Sequence, residues 1–215
     1  MNGLALFDID GTLTESNEID TDCFVCAFAD EFGIKDIPVG WQHYEHSTDR
    51  GIAVEVLRRA WQRTPTEEEL ARHRARFVAL LGKRAHEIVP IVGAPQFIES
   101  LRAAGWNVGI ITGAWSDSAN LKLTAAGLCG IRVVSCDTFV SRPEIVRCAI
   151  SAFDSASTVL FGDGTWDLAA AMELGIGFIG IGSGEAAQRL IAAGARHVFA
   201  DYRDRTSILA AMQSS

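Results

Sequence analysis

Two aspartates near the start of the chain have the types and spacing that catalysis or metal binding would need. Asp8 and Asp10 directly follow a run of four apolar residues, Leu4 to Phe7, which is typical of a strand buried on both faces. Because side chains two apart on a strand point to the same side, the two carboxylates are predicted to aim at one spot. Carboxylates that share a site repel each other unless a cation or a proton lies between them. The plain alternative is a polar strand end with two solvated aspartates.

Two more polar clusters follow apolar runs later in the chain. Thr112 and Gly113 come just before a predicted helix, where a hydroxyl and free backbone N–H groups can bind phosphate. The alternative for this pair is an ordinary turn. Asp163 and Asp167 lie four residues apart in the segment GDGTWD, so both can converge on a hard cation such as Mg²⁺. The alternative for Asp167 is an aspartate that caps a helix N-terminus.

The elements that must position these clusters follow a regular rhythm. From residue 91 onward, predicted strands alternate with helices. The strands of this region are expected at 108–111, 131–134, 158–161, 178–181 and 197–199, and they join the first strand, expected at 4–7. This alternation predicts an α/β fold, with a mostly parallel, Rossmann-like sheet and right-handed crossovers. Ligands of such sheets bind beyond the carboxyl ends of the strands, which is where the polar clusters fall.

Between the first strand and this region the sequence is helical. One helix is predicted over 19–33, ended by Gly33, and a second is predicted to begin near Thr48 or Asp49. A third is predicted to begin at a capping box over 64–67, with Pro65 at its first position. We therefore expect a catalytic core made of residues 1–14 and 89–215, interrupted by an all-helical cap over 15–88.

Composition limits the classes of protein that fit. With 215 residues, of which 48% are hydrophobic, the chain can bury a full core, and its formal net charge of −8 argues against a nucleic-acid partner. No apolar run approaches a membrane span, and the N-terminus lacks the basic region of a signal peptide. The five cysteines are an odd number without a metal-binding pattern, which is typical of thiols in a reducing cytoplasm. We expect a cytoplasmic protein with no membrane partner.

At this point the sequence resembles the haloacid dehalogenase-like hydrolase superfamily, whose members are mainly phosphatases with an aspartate nucleophile. The resemblance rests on DIDGT at 8–12, ITG at 111–113 and GDGTWD at 162–167, with the helical insertion where the family's first cap domain lies. It covers essentially the whole chain. It implies a Mg²⁺-dependent phosphatase acting on a small phosphorylated metabolite through an aspartyl phosphate.

The same resemblance implies roles for single residues. Asp8 would be the nucleophile and Asp10 the general acid and base, while Thr112, with Gly113, would bind the phosphoryl group. Asp163 would hold Mg²⁺ together with Asp8 and the main-chain oxygen of Asp10. Asp167 would support the metal or the basic residue.

The family's basic residue, usually a lysine, is the position at which this chain departs from the pattern. The corresponding segment, VSRPEIV, offers Arg142, which keeps the positive charge but is not interchangeable with a lysine. Lys122, in the helix after Thr112, is the alternative, because related families place their lysine there. We expect Arg142 to bind phosphate and take part in catalysis.

The cap is expected to choose the substrate. The candidate contacts lie in an aromatic and imidazole-rich loop that leads into a helix, and they are Trp41, His43, Tyr44 and Arg50. For each of them alone, packing or an exposed loop position is the simpler explanation.

Two other functions stay open at this level. A phosphomutase of the same superfamily would return the phosphoryl group to a sugar, and only the exclusion of water by the cap separates it from a phosphatase. A receiver-type signalling domain also carries an acidic Mg²⁺ site, a phosphorylated aspartate and a threonine on a parallel sheet. A receiver, however, needs neither a helical insertion of about 75 residues nor a general acid at Asp10. The sequence predicts neither the ester nor the oligomeric state.

Overall fold

A six-stranded parallel sheet forms the centre of the computed structural model, which describes residues 3–153, 155 and 157–214. The strands are β1 Leu4–Phe7, β2 Thr14–Glu15, β3 Val89–Pro90, β4 Asn107–Ile111, β5 Arg132–Val134, β6 Thr158–Gly162, β7 Gly177–Ile181 and β8 Val198–Phe199. The helices are α1 Asn17–Phe32, α2 Asp49–Trp61, α3 Glu67–Lys83, α4 Ala94–Ala103, α5 Ser116–Ala125, α6 Arg142–Ser151, α7 Thr165–Leu174, α8 Gly184–Ala192 and α9 Arg205–Met212. Among the described residues, no helix has the length and apolar composition that crossing a membrane requires.

The strand order places the three polar clusters side by side. The sheet runs β5-β4-β1-β6-β7-β8, and every neighbouring pair is parallel. The last residue of β1, Phe7, lies in register between Ile110 of β4 and Phe161 of β6. The carboxyl ends of β1, β4 and β6 therefore meet at one edge of the sheet. The predicted α/β class with a helical cap is confirmed.

The apolar residues of β1 are divided between the two faces of the sheet. Leu4 and Leu6 pack into the cluster on one face, and Ala5 and Phe7 pack into the cluster on the other. Phe7 stacks on Phe161 with ring centroids 4.4 Å apart. Burial on both faces explains why β1 is a continuous apolar run instead of an alternating one.

Helices α1, α2 and α3 form the cap, and α1 packs along α3. Helix α1 ends at Gly33, which adopts the left-handed conformation that favours glycine. Helix α3 begins two residues later than predicted. Its capping box is formed by Thr66 and Glu69, so Pro65 lies before the N-cap and not inside the first turn.

A short antiparallel pair that was not predicted closes the junction between cap and core. Strands β2 and β3 pair Thr14 with Pro90 and Glu15 with Val89. The expected boundaries of the cap, at 15 and 88, adjoin this pair. Two residues are too few to leave a periodic pattern in the sequence, which is why neither strand was predicted.

Candidate active site

The segment after β1 brings Asp8 and Asp10 into one pocket with different partners. Asp8 is buried, and its backbone N–H donates to the carbonyl of Phe161 at 2.9 Å. Gly11 follows with φ +74, and a Cβ at this position would lie 2.1 Å from Oδ2 of Asp163. Glycine is needed here both for its conformation and for the space that a carboxylate of the site occupies.

The side chain of Asp10 is held by two donors. The hydroxyl of Ser16 donates to Oδ1 at 2.5 Å, and Nζ of Lys122 donates to Oδ2 at 2.6 Å. These contacts orient the Asp10 carboxylate, whereas the Asp8 carboxylate contacts Arg142. Both carboxylates line the same pocket.

The loop after β4 forms another wall of the pocket. The buried hydroxyl of Thr112 accepts a hydrogen bond from the Ala114 N–H at 3.0 Å. A Cβ on Gly113 would lie 2.8 Å from the carbonyl of Ser47 and 3.1 Å from Nη2 of Arg142. The cap and the basic side chain come so close to this loop that only a glycine fits at position 113.

Three carboxylates meet at the carboxyl ends of β1 and β6. Asp8, Asp163 and Asp167 each place an oxygen within 4.8 Å of the others. Burial, followed by the neighbouring charge of Asp167, raises the pKa of Asp8 well above its usual value, although the Arg142 guanidinium lowers it. Burial and the charge of Asp167 also raise the pKa of Asp163, to about 7. A hydrogen bond from Asn17 at 2.9 Å acts in the opposite direction and lowers it.

This cluster fits a hard divalent cation. Carboxylate oxygens are the ligands that Mg²⁺ prefers, and three carboxylates in one place repel each other unless a cation or a proton lies between them. Oδ1 of Asp167 is buried and makes no hydrogen bond within the described part of the chain. Asp8, Asp163 and Asp167 are therefore the residues that could hold a metal ion.

Two basic residues reach the site, and each contacts a different aspartate. Arg142, the first residue of α6, places Nη1 3.0 Å from Asp8 and Nε 3.2 Å from Asp167. Lys122, on α5, contacts Asp10 instead and also forms an ion pair with Asp20 of the cap. Arg142 therefore lies beside the expected nucleophile, and Lys122 beside the expected acid.

The start of α2 docks the cap onto the loop after β4. The Asp49 N–H donates to the carbonyl of Gly113 at 2.7 Å, and the Asp49 carboxylate accepts from the Trp115 N–H at 3.0 Å. The hydroxyl of Thr48 donates to the carbonyl of Val140 at 2.8 Å. The cap thus lies directly against the loop expected to bind phosphate.

Of the cap residues expected to contact substrate, Trp41 lines the pocket. Tyr44 is buried elsewhere in the cap, and its hydroxyl donates to the carbonyl of Pro38 at 2.8 Å. Arg50 turns to Glu67, with its Nη2 2.6 Å from the Glu67 carboxylate, and His43 is exposed. Neither these two nor Tyr44 lines the pocket, so their placement does not support the specificity expected of them.

Four polar residues of the site were not singled out from the sequence: Ser16, Asn17, Asp20 and Asp49. The first three lie within ten residues of Asp10. A run of polar residues that opens a helix directly after the strand-end motif was the signal that could have found them. Asp49 had been interpreted as part of a helix start, and nothing in its neighbours indicates that it reaches the core.

Comparison with known proteins gives the class. The model of the haloacid dehalogenase-like hydrolase family matches residues 3–175, so the chain belongs to that family. No curated protein matches the chain.

The chain is also similar to several solved structures. A hydrolase from Pseudomonas syringae has a TM-score of 0.77 and 23% identity, with 98% of each chain covered. A predicted phosphoglycolate phosphatase from Haemophilus somnus 129pt has a TM-score of 0.70 and 19% identity, covering 96% of this chain and 97% of that one. CbbY from Rhodobacter sphaeroides, solved with phosphate, has a TM-score of 0.70 and 19% identity, covering 95% and 96%. At these identities the likeness shows the fold.

Proposed function

We propose that this hydrolase is a Mg²⁺-dependent phosphatase that acts on a small phosphorylated metabolite through an aspartyl phosphate. The observation that carries the proposal is the meeting of Asp8, Arg142 and the Thr112 loop in one pocket. A phosphate dianion repels a bare carboxylate, so a nucleophilic aspartate needs positive charge and N–H or hydroxyl donors around it. Arg142 and the loop supply both.

Asp8 is the nucleophile in this proposal. One of its oxygens bonds to phosphorus as the bond from phosphorus to the ester oxygen breaks. Arg142 holds the nucleophile in place and, through its guanidinium, offsets the charge of the phosphoryl oxygens. The Thr112 hydroxyl and the Gly113 backbone bind that group beside it.

Asp10 moves the protons. Ser16 and Lys122 fix its carboxyl toward the same pocket as Asp8, so it can protonate the leaving alkoxide. In the second half-reaction it takes a proton from the water that attacks phosphorus, and the Asp8 carboxylate and inorganic phosphate are released.

The metal ion belongs to the acidic cluster. Asp8 and Asp163 would hold Mg²⁺, with the main-chain oxygen of Asp10 as a further ligand and Asp167 in support. When bound, the ion would offset the negative charge of the phosphoryl oxygens.

The test is the release of inorganic phosphate from a panel of phosphate esters, before and after chelation and after Mg²⁺ is restored. We expect many turnovers per chain that are lost on chelation and regained with Mg²⁺. Asp8→Asn should remove turnover and the phosphoenzyme together, whereas Asp36→Asn, an exposed aspartate outside the pocket, should behave like the wild type.

Three results would contradict the proposal. Turnover that survives exhaustive chelation would exclude the metal. A single phosphoryl group taken up without further release would indicate a receiver. Transfer of the group to a sugar in preference to water would indicate a phosphomutase.

A further inference from the structure

The half of the pocket that faces the leaving group is built by the cap. Its apolar wall consists of Phe24, Trp41 and Ile52, and Thr21 adds a hydroxyl. Phe24 meets Trp41 edge to face, with ring centroids 5.8 Å apart, and lies 6.1 Å from the ring of Trp115. These aromatic contacts hold the wall in place. The cavity between these residues is small, about 70 Å³, which suits a compact group.

The described residues of this half of the pocket offer no free cation. Among the described residues that line the pocket, the charged side chains are five aspartates and one arginine, and these are Asp8, Asp10, Asp20, Asp49, Asp163 and Arg142. The arginine is already engaged by two carboxylates beside the nucleophile. Two of the aspartates belong to the cap: Asp20 pairs with Lys122, and the Asp49 carboxylate accepts from the Trp115 N–H.

The other nearby cations are not available to a substrate. Lys122 lies behind the wall, fully buried and paired with Asp10 and Asp20. Arg50 is bound to Glu67 and does not line the pocket. An anionic group on the leaving alcohol would thus find no free counter-ion among the described residues of the pocket, and a charge that is desolvated without a partner binds poorly.

We infer that the ester has a compact, uncharged leaving group with an apolar face, so that the phosphoryl group is the only anion on the substrate. This inference rests on the proposed function. It separates the chain from two proteins with the same fold, since one is a predicted phosphoglycolate phosphatase and phosphoglycolate carries a carboxylate. Likewise, the xylulose-1,5-bisphosphate bound to a mutant of CbbY carries a second phosphate. The lack of a free cation on the cap side of the pocket is what would exclude such substrates.

A matched pair of esters tests the inference. Phosphoglycolate and 2-hydroxyethyl phosphate share a two-carbon skeleton. The first ends in a carboxylate and the second in an uncharged hydroxymethyl group. We expect kcat/KM to be at least fivefold higher for 2-hydroxyethyl phosphate, with p-nitrophenyl phosphate as an ester that reports the phosphoryl chemistry. A smaller ratio, or a reversed one, overturns the inference while turnover of p-nitrophenyl phosphate leaves the proposed function standing. If none of the three esters is hydrolysed, the proposed function fails and this inference falls with it.

A charge placed on the wall provides a second measurement. Thr21→Lys adds a cation beside the leaving group, and Thr21→Met adds similar length without charge. The lysine variant should lower the ratio at least fivefold by improving phosphoglycolate, whereas the methionine variant should keep the preference for the neutral ester. The same shift in both variants would show that size and not charge sets the preference, which overturns the inference. The ratio in the wild type decides the matter if the lysine variant does not fold.

Discussion

Replacing Lys122 by methionine removes a positive charge that is buried among three carboxylates. Its side chain is 0% exposed, and Nζ lies 2.6 Å from Asp10 and in ion-pair contact with Asp20. Burial by itself lowers the pKa of Lys122, but the carboxylates of Asp10, Asp20 and Asp49 together raise it above its ordinary value. Methionine keeps the length of the side chain and loses the charge.

The expected cost is large. Breaking a buried ion pair by removing one partner costs about 3–5 kcal/mol, because the remaining charge is left uncompensated. For a chain of this size that corresponds to a fall in Tm of about 6–20 °C. Burial already raises the pKa of Asp20 to about 6, although Lys122 lowers it. Without the lysine this pKa should rise further, so the folded variant binds more protons than the unfolded chain and regains stability as the pH falls.

Urea unfolding of the wild type and the variant at pH 8 and pH 5.5, followed by tryptophan fluorescence, measures this cost. We expect the loss in free energy of unfolding to be larger at pH 8. Lys83→Met, at an exposed lysine, is the matched control and should stay within about 0.5 kcal/mol. Adding Asp20→Asn to Lys122→Met should restore part of the loss. A loss below about 1 kcal/mol, or an equal loss at both pH values, would refute this account of the buried charges.

Three further outcomes follow from the geometry. Arg142→Lys keeps the charge but cannot contact both carboxylate partners at once, so kcat/KM should fall about tenfold or more, and wild-type kinetics would contradict this. Burial lowers the pKa of His73 to about 4, so the unfolded chain binds a proton between pH 6.5 and 4 that the folded chain does not. The free energy of unfolding should therefore decrease by about 3 kcal/mol as the pH is lowered from 6.5 to 4. In urea titrations, His73→Phe should remove this part of the pH dependence. Gly11→Ala should abolish turnover because its Cβ would meet Asp163, whereas Gly105→Ala, also at positive φ but with free space around it, should only cost about 1–2 kcal/mol of stability.

The sequence by itself determined the main strands, the parallel class of the sheet and the edge at which the polar clusters lie. Buried strands are recognisable as short apolar runs, and parallel strands joined by helices must end at one edge. Asp8, Thr112 and Asp163 could therefore be assigned to one edge before any coordinates were known. This reasoning depends on local patterns and on the regular geometry of α/β units, which vary little between sequences.

Only the tertiary structure decided which side chains meet across the junction of cap and core. The sequence offered Arg142 and Lys122 as alternatives for one role, and the structure gives each its own aspartate. In the structure, Tyr44 and Arg50 also lie away from the pocket, and Asp49 contacts the core. Such contacts depend on how helices far apart in the chain pack against each other. The direction of a side chain on a packed helix is fixed by its neighbours in space, and the local sequence pattern does not identify those neighbours.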